Sequence, residues 1–147
     1  MTDEEKKRIV RDQLDAFNRH NEDAFVEVIG TNNKSVDIPT GETLTGKEGG
    51  REFFRRWHNA FPDGKTTIDD ELVSGDTVIL RFRGDGTQTG PLGPFPPSKK
   101  RASLHFISVN RLDSQGKITE SATYYDQLSL LAQLGHIPVP AAAGTPR

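Results

Sequence analysis

A chain of 147 residues, 33% of them hydrophobic, is long enough for one domain that buries roughly 68–70% of its unfolded surface and too short for a second core. A formal net charge of −2, with Lys99-Lys100-Arg101 no more than a short cationic run, argues against a nucleic-acid partner. Zero cysteines exclude disulfides, thiolate nucleophiles, iron–sulfur clusters and thiolate zinc sites, so any chemistry rests on carboxylates, imidazoles, hydroxyls or phenols.

No apolar stretch approaches the ~20 residues of a membrane span, and the start Met1-Thr2-Asp3-Glu4-Glu5 opposes a signal peptide. The expectation is a soluble, cytoplasmic protein without a membrane partner.

Thr2 and Glu5 have capping-box spacing, and Val10, Leu14 and Phe17 recur at helical intervals, predicting a first helix from Asp3 to Asn18. Asn21 is placed to cap a second, shorter helix with Phe25, Val28 and Ile29 on its apolar side and Gly30 as a left-handed stop. Residues 31–44 read as loop and short extended structure, with Val36, Ile38 and Leu44 as buried points. Thr45 and Glu48 repeat the capping-box spacing before a third helix, whose Phe53, Phe54, Trp57 and Phe61 run until Pro62 ends it.

After Gly64 the period changes. Val78, Leu80 and Phe82 alternate with Ile79, Arg81 and Arg83 behind a Gly75-Asp76 turn, which predicts a hairpin. Gly84 to Lys99 carries four Pro and four Gly and reads as a long loop or bulged strand ends. Strands resume from Arg101 to Leu112 and, after Asp113-Ser114-Gln115-Gly116, from Ile118 to Asp126. A last helix is expected over Gln127 to Leu134, stopped by Gly135. The domain is thus assigned to residues 1–138 and a flexible tail to 139–147. Helices followed by hairpins predict an α+β fold, a curved antiparallel sheet packed on three N-terminal helices with a short C-terminal helix.

Several side chains stand out on their own chemistry. If the last strand is regular, Ile118, Glu120, Ala122, Tyr124 and Asp126 share one face, so the Tyr124 hydroxyl lies beside the Asp126 carboxylate. His105, mid-strand, is placed to pair across to that strand, where imidazole and carboxylate form a proton-transfer couple; as bland alternatives it is a half-exposed strand histidine and Asp126 a helix cap. Trp57 offers a flat wall and one donor, and Phe61 extends the stripe; the Phe residues otherwise read as core. Leu92 and Phe95 sit in a Pro/Gly segment that is either a lid over a cavity or a surface loop, and Asp37 and His58 are polar neighbours of apolar positions. The histidines show no metal-ligand spacing, and no metal site is expected.

Thr45-Gly46-Lys47-Glu48-Gly49, the run Phe53 to Asp63, Gly86-Thr87-Gln88-Thr89-Gly90, Gly116 to Glu120, Tyr124-Tyr125-Asp126 and Leu130 to Gly135 together resemble the SnoaL-like polyketide cyclases of the NTF2-like superfamily, over roughly residues 5 to 138. The resemblance implies a cone with a ligand cavity, homodimers, no obligatory cofactor, and Asp126 as the acid/base group. It also marks departures: Gln88 stands where relatives commonly have histidine, Ala122 where they often have a bulky aromatic, and Ser98-Lys99-Lys100 where they continue Thr-Gly-Lys. The expected ligand is a small hydrophobic oxygenated molecule. Three readings remain open: a cyclase or isomerase of a polyketide-like or terpenoid-like carbonyl compound, a binding protein without turnover, and an epoxide-opening enzyme.

Overall fold

A computed structural model describes residues 1–139 of the chain. The expected tail at 139–147 therefore falls, from residue 140 on, outside the described residues. In chain order the elements are α1 (Asp3–Asn18), α2 (Glu22–Glu27), β1 (Ile29–Asp37), β2 (Glu42–Thr45), α3 (Gly46–Ala60), β3 (Lys65–Ser74), β4 (Thr77–Thr87), β5 (Arg101–Leu112), β6 (Ile118–Tyr125) and α4 (Gln127–Gln133).

Helix starts follow the polar side chains that satisfy their free N–H groups. Thr2 and Glu5 form the full capping box of α1, and Asn21 accepts from the Ala24 amide at 3.1 Å. Thr45, by contrast, makes no side-chain cap; α3 begins on Gly46 at φ +67°, and a Cβ there would lie 2.9 Å from the Thr31 carbonyl. Gly30 is not a helix stop. α2 ends on Val28 in right-handed geometry, and Gly30 is a strand residue whose missing side chain lets the Ile118 carbonyl approach, 3.2 Å from where a Cβ would sit. Lys47 closes the end of α2 by donating to the Val26 and Glu27 carbonyls at 3.0 and 2.9 Å.

The six strands form one sheet in the order β2-β1-β6-β5-β4-β3. It is mixed rather than antiparallel, because β1 runs parallel to β6, with Ser35 opposite Ser121 and Asp37 opposite Thr123. The segment expected as loop and short extended structure is thus a nine-residue strand and a short edge strand. A parallel pair needs a long connection. Here residues 38–117 lie between the partners, which hides the pairing from any local pattern.

The register of β6 shifts near its start: Leu112 pairs with Ile118 but Arg111 pairs with Glu120, leaving Thr119 as an extra residue. Ile118 faces the core, and beyond the bulge Ser121, Thr123 and Tyr125 take the inner face. The expected shared face of Ile118, Glu120, Ala122, Tyr124 and Asp126 is broken at that point.

Apolar side chains gather in three clusters. Val10, Val78, Leu80, Phe82, Leu112 and Ile118 lock α1 onto the sheet; Phe25, Val26, Ile29 and Phe54 join α2 and α3; Ala60, Phe61, Leu104, Leu130 and Leu134 seat α4. The Gly90 loop is fastened to the end of α3, where the Thr89 and Gly90 amides donate to the Ala60 carbonyl at 3.1 and 3.3 Å.

A Cβ at Gly90 would lie 1.9 Å from the Asn59 carbonyl oxygen, a backbone atom that cannot swing away. Gly90→Ala is expected to lower stability by about 2 kcal/mol or more, a fall of ~4–8 °C in a thermal melt followed by circular dichroism. Gly93→Ala, at φ +55° with open space around it, is expected to cost only about 1 kcal/mol.

Candidate active site

A cavity of about 150 Å³ lies between α3 and the inner face of the sheet. This is compact beside the ~300–1,000 Å³ of pockets that enclose drug-sized ligands. Its helical wall carries Phe53, Arg56, Trp57 and Phe61, and its apolar floor includes Leu80, Phe82, Leu104 and Phe106. Alternation along β1 turns Asn33, Ser35 and Asp37 inward, and the bulge in β6 turns Ser121 and Thr123 inward beside them. Trp57 meets Phe106 and Tyr125 edge to face, with ring centroids 5.9 and 5.7 Å apart.

Asp37 is the chemically exceptional group. Its Oδ2 accepts the Tyr125 hydroxyl at 2.9 Å, while its Oδ1 is buried with no hydrogen-bond partner. Burial pushes its pKa above the ordinary carboxylate value, opposed by the Tyr125 hydrogen bond, the Thr40 side chain and the nearby Arg56 guanidinium. Tyr125 is held strongly protonated by the same burial and by the neighbouring Asp37 charge.

Arg56 does not pair with Asp37. Both of its terminal nitrogens bind Glu42 across β2, and its Nη2 also reaches Glu52 Oε1 at 3.1 Å. That pairing holds Glu42 below its usual pKa and fixes the cation at the rim near Asp37.

The sequence profile of the SnoaL-like polyketide cyclases matches residues 7–134. The chain belongs to the SnoaL-like polyketide cyclase family. No curated protein sequence matches it. Among solved structures it is similar to TsrD from Streptomyces laurentii, with 26% identity, 93% of this chain and 99% of that chain covered, and a TM-score of 0.82. It shares its fold with a SnoaL-like candidate polyketide cyclase from Jannaschia sp. (20% identity, 90% and 93% covered, TM-score 0.81). The same holds for a protein of ketosteroid isomerase-like fold from Catenulispora acidiphila (24% identity, 86% and 92% covered, TM-score 0.74).

Within this SnoaL-like cone, three of the residues singled out in the sequence, Asp37, Trp57 and Phe61, come together on the cavity wall. Asp126 does not join them. It is exposed, and its Oδ1 accepts the Ser129 amide at 3.0 Å as the N-cap of α4. Tyr124, 43% exposed, and His105, opposite Arg83, lie on the outer face of the sheet.

Gln88 is fully buried, but it is tied to the loop beyond it rather than to the cavity: its Nε2 donates to the Phe95 and Pro96 carbonyls at 3.2 and 3.1 Å. Leu92 and Phe95 form a tight backbone bridge, and Leu92 packs on the α4 cluster instead of lining the cavity. Tyr125, Arg56 and Glu42 escaped the sequence reading. The Tyr124-Tyr125 pair was the available signal, since one of two consecutive strand tyrosines must face inward. Among the described residues no group of three His, Cys, Asp or Glu side chains is arranged to hold a metal ion.

His58 is buried outside the cavity, stacked among Phe17, Phe54 and His20, and neither ring nitrogen has a hydrogen-bond partner. Burial, with His20 nearby, pushes its pKa from 6.5 down to about 4. The unfolded chain therefore binds this proton first as pH falls. Stability is expected to drop between pH 6.5 and 4, by on the order of 2–3 kcal/mol, and this component is expected to vanish in His58→Leu when denaturant midpoints are followed against pH.

Proposed function

We propose that the protein is a cofactor-independent cyclase or isomerase that acts by acid/base catalysis on a polyketide-like or terpenoid-like carbonyl compound, with Asp37 as the proton-transferring group. The observation that carries this reading is the Asp37 carboxyl: one oxygen held by Tyr125, the other buried without a partner, on the wall of an apolar cavity. The Asp37 carboxylate removes a proton from the carbon next to a carbonyl, giving an enolate. In a cyclisation that enolate carbon bonds to a second carbonyl carbon, and the carboxylic acid returns its proton to the new alkoxide. In an isomerisation the proton returns to a different carbon. Tyr125 steadies the carboxyl, and Trp57 and Phe106 hold the substrate folded. The solvent-exposed cap position of Asp126 supports assigning the base to Asp37 instead.

A second reading is binding without turnover, favoured by Asp126, which the resemblance implies as acid/base, serving only as the N-cap of α4. The two separate in one assay, hydrogen–deuterium exchange of 2-tetralone α-protons in deuterated buffer, followed by NMR. The enzyme reading expects acceleration over buffer, lost about 10²–10⁴-fold in Asp37→Asn and kept in Asp126→Asn. The rate is expected to rise with pH through an inflection above the ordinary aspartate value, because the carboxylate is the active form; Tyr125→Phe moves that inflection higher. No acceleration leaves the binding reading.

The homodimer is proposed through the outer face of the sheet. Leu72, Ile107 and Tyr124 are 55%, 41% and 43% exposed, and the register sets Ile107 beside Tyr124. Sedimentation velocity is expected to show a dimer that Ile107→Asp converts to monomer.

A further inference from the structure

The sheet floor is not uniformly apolar. β5 turns Ser108 and Asn110 into the same cavity as the inward residues of β1 and β6. The register lines these side chains up in two rows: Ser35–Ser121–Asn110, and Asp37–Thr123–Ser108.

The first row is largely satisfied within the protein. Ser121 donates to Ser35 at 3.0 Å, Ser35 to Asn33 at 2.8 Å, and Asn33 to the Ile118 carbonyl at 3.0 Å. Such a relay fixes every hydroxyl proton in one direction and leaves the Ser121 oxygen as an acceptor. The second row is not satisfied. Ser108 accepts from Asn110 at 3.1 Å; among the described residues its own proton has no acceptor and the Thr123 hydroxyl no hydrogen-bond partner, and neither oxygen is sealed away without one.

A cavity meant solely for hydrocarbon gains nothing from such groups, since an unpaired hydroxyl facing an apolar ligand is costly. Neighbouring strands are ~4.8 Å apart, about the separation of two oxygens placed meta on a six-membered ring.

We infer that Thr123 and Ser108 form an oxygen-reading subsite, selecting a ring compound with meta-related hydroxyl or carbonyl oxygens that lies across the sheet with its reacting carbon toward Asp37. This inference rests on the reading of the cavity as the ligand site. It makes Thr123 and Ser108 specificity-determining residues distinct from the proton-transfer group.

Isothermal titration calorimetry with 1,3-dihydroxynaphthalene and with 2-naphthol, which lacks the second oxygen, tests it. The wild-type chain is expected to bind the diol about tenfold more tightly. Thr123→Val, which breaks no hydrogen bond inside the protein, is expected to reduce that preference to within about threefold; Ser108→Ala supplies a second, smaller truncation with the same expected direction. Equal affinity of the wild type for both compounds, binding of neither, or an unchanged preference in both variants overturns the inference. Asp37→Asn is expected to keep the preference. Failure of the proton-transfer reading shows instead as absent 2-tetralone exchange with the diol preference intact.

Discussion

The parallel pairing of β1 with β6 is the constraint on which the site depends. It joins the first strand to the last and is tied at both ends: the Ile118 amide donates to the Val28 carbonyl at 2.8 Å, and the Ile38 amide to the Thr123 carbonyl at 3.0 Å. Lys117 adds a bond to the Glu27 carbonyl at 3.0 Å. Shifting either strand by one residue would turn Asn33, Ser35 and Asp37, or Ser121 and Thr123, out of the cavity, and Tyr125 away from Asp37. The Asp37–Tyr125 contact is therefore a consequence of sheet register more than of any local motif. The closure cost of so long a connection rises only slowly with length, so a pairing this remote in sequence is thermodynamically accessible.

Given that register, the electrostatics follow. A carboxyl in an apolar cavity would hold its proton too tightly to act as a base at neutral pH if burial acted alone. The Tyr125 hydroxyl and the Arg56 cation pull in the other direction. Arg56 acts from a distance because Glu42 and Glu52 occupy its hydrogen bonds. A direct guanidinium–Asp37 pair would have fixed the carboxylate as a permanent ion and removed its free oxygen. The pairing of Arg56 with Glu42 thus leaves the second Asp37 oxygen without a partner.

Much of the fold is legible in the sequence, and the exceptions have a common cause. α1 carries its own start signal and apolar period, and Thr2, Glu5, Val10 and Leu14 read correctly. The aromatic stripe of α3 likewise pointed to Trp57 and Phe61. β1 read only as loop and short extended structure because its inward positions, Asn33, Ser35 and Asp37, are polar; a strand that lines a polar part of a cavity loses the apolar alternation by which strands are found. β6 showed its strand character but misled on its face. One extra residue at Thr119 reverses the side of everything after it, which moved attention to Tyr124 and away from Tyr125, while Asp126 was singled out by the family resemblance. The site was hardest to read where it departs from regular patterning.

Gln88 shows the same point from the opposite side, since a residue singled out by the resemblance need not lie in the site. The Pro-rich segment it faces turns two carbonyl oxygens toward it: that of Phe95, which also accepts from the Leu92 amide at 2.9 Å, and that of Pro96. One primary amide supplies two protons from a single nitrogen, and both go to those carbonyls; its oxygen accepts from His136 Nε2 at 2.7 Å, joining the loop to the segment after α4. An imidazole at this position offers at most one proton from each of two nitrogens on opposite sides of a ring, so it could not hold both carbonyls from one point. Glutamine is the residue type that closes this three-way junction, and its burial follows from that geometry.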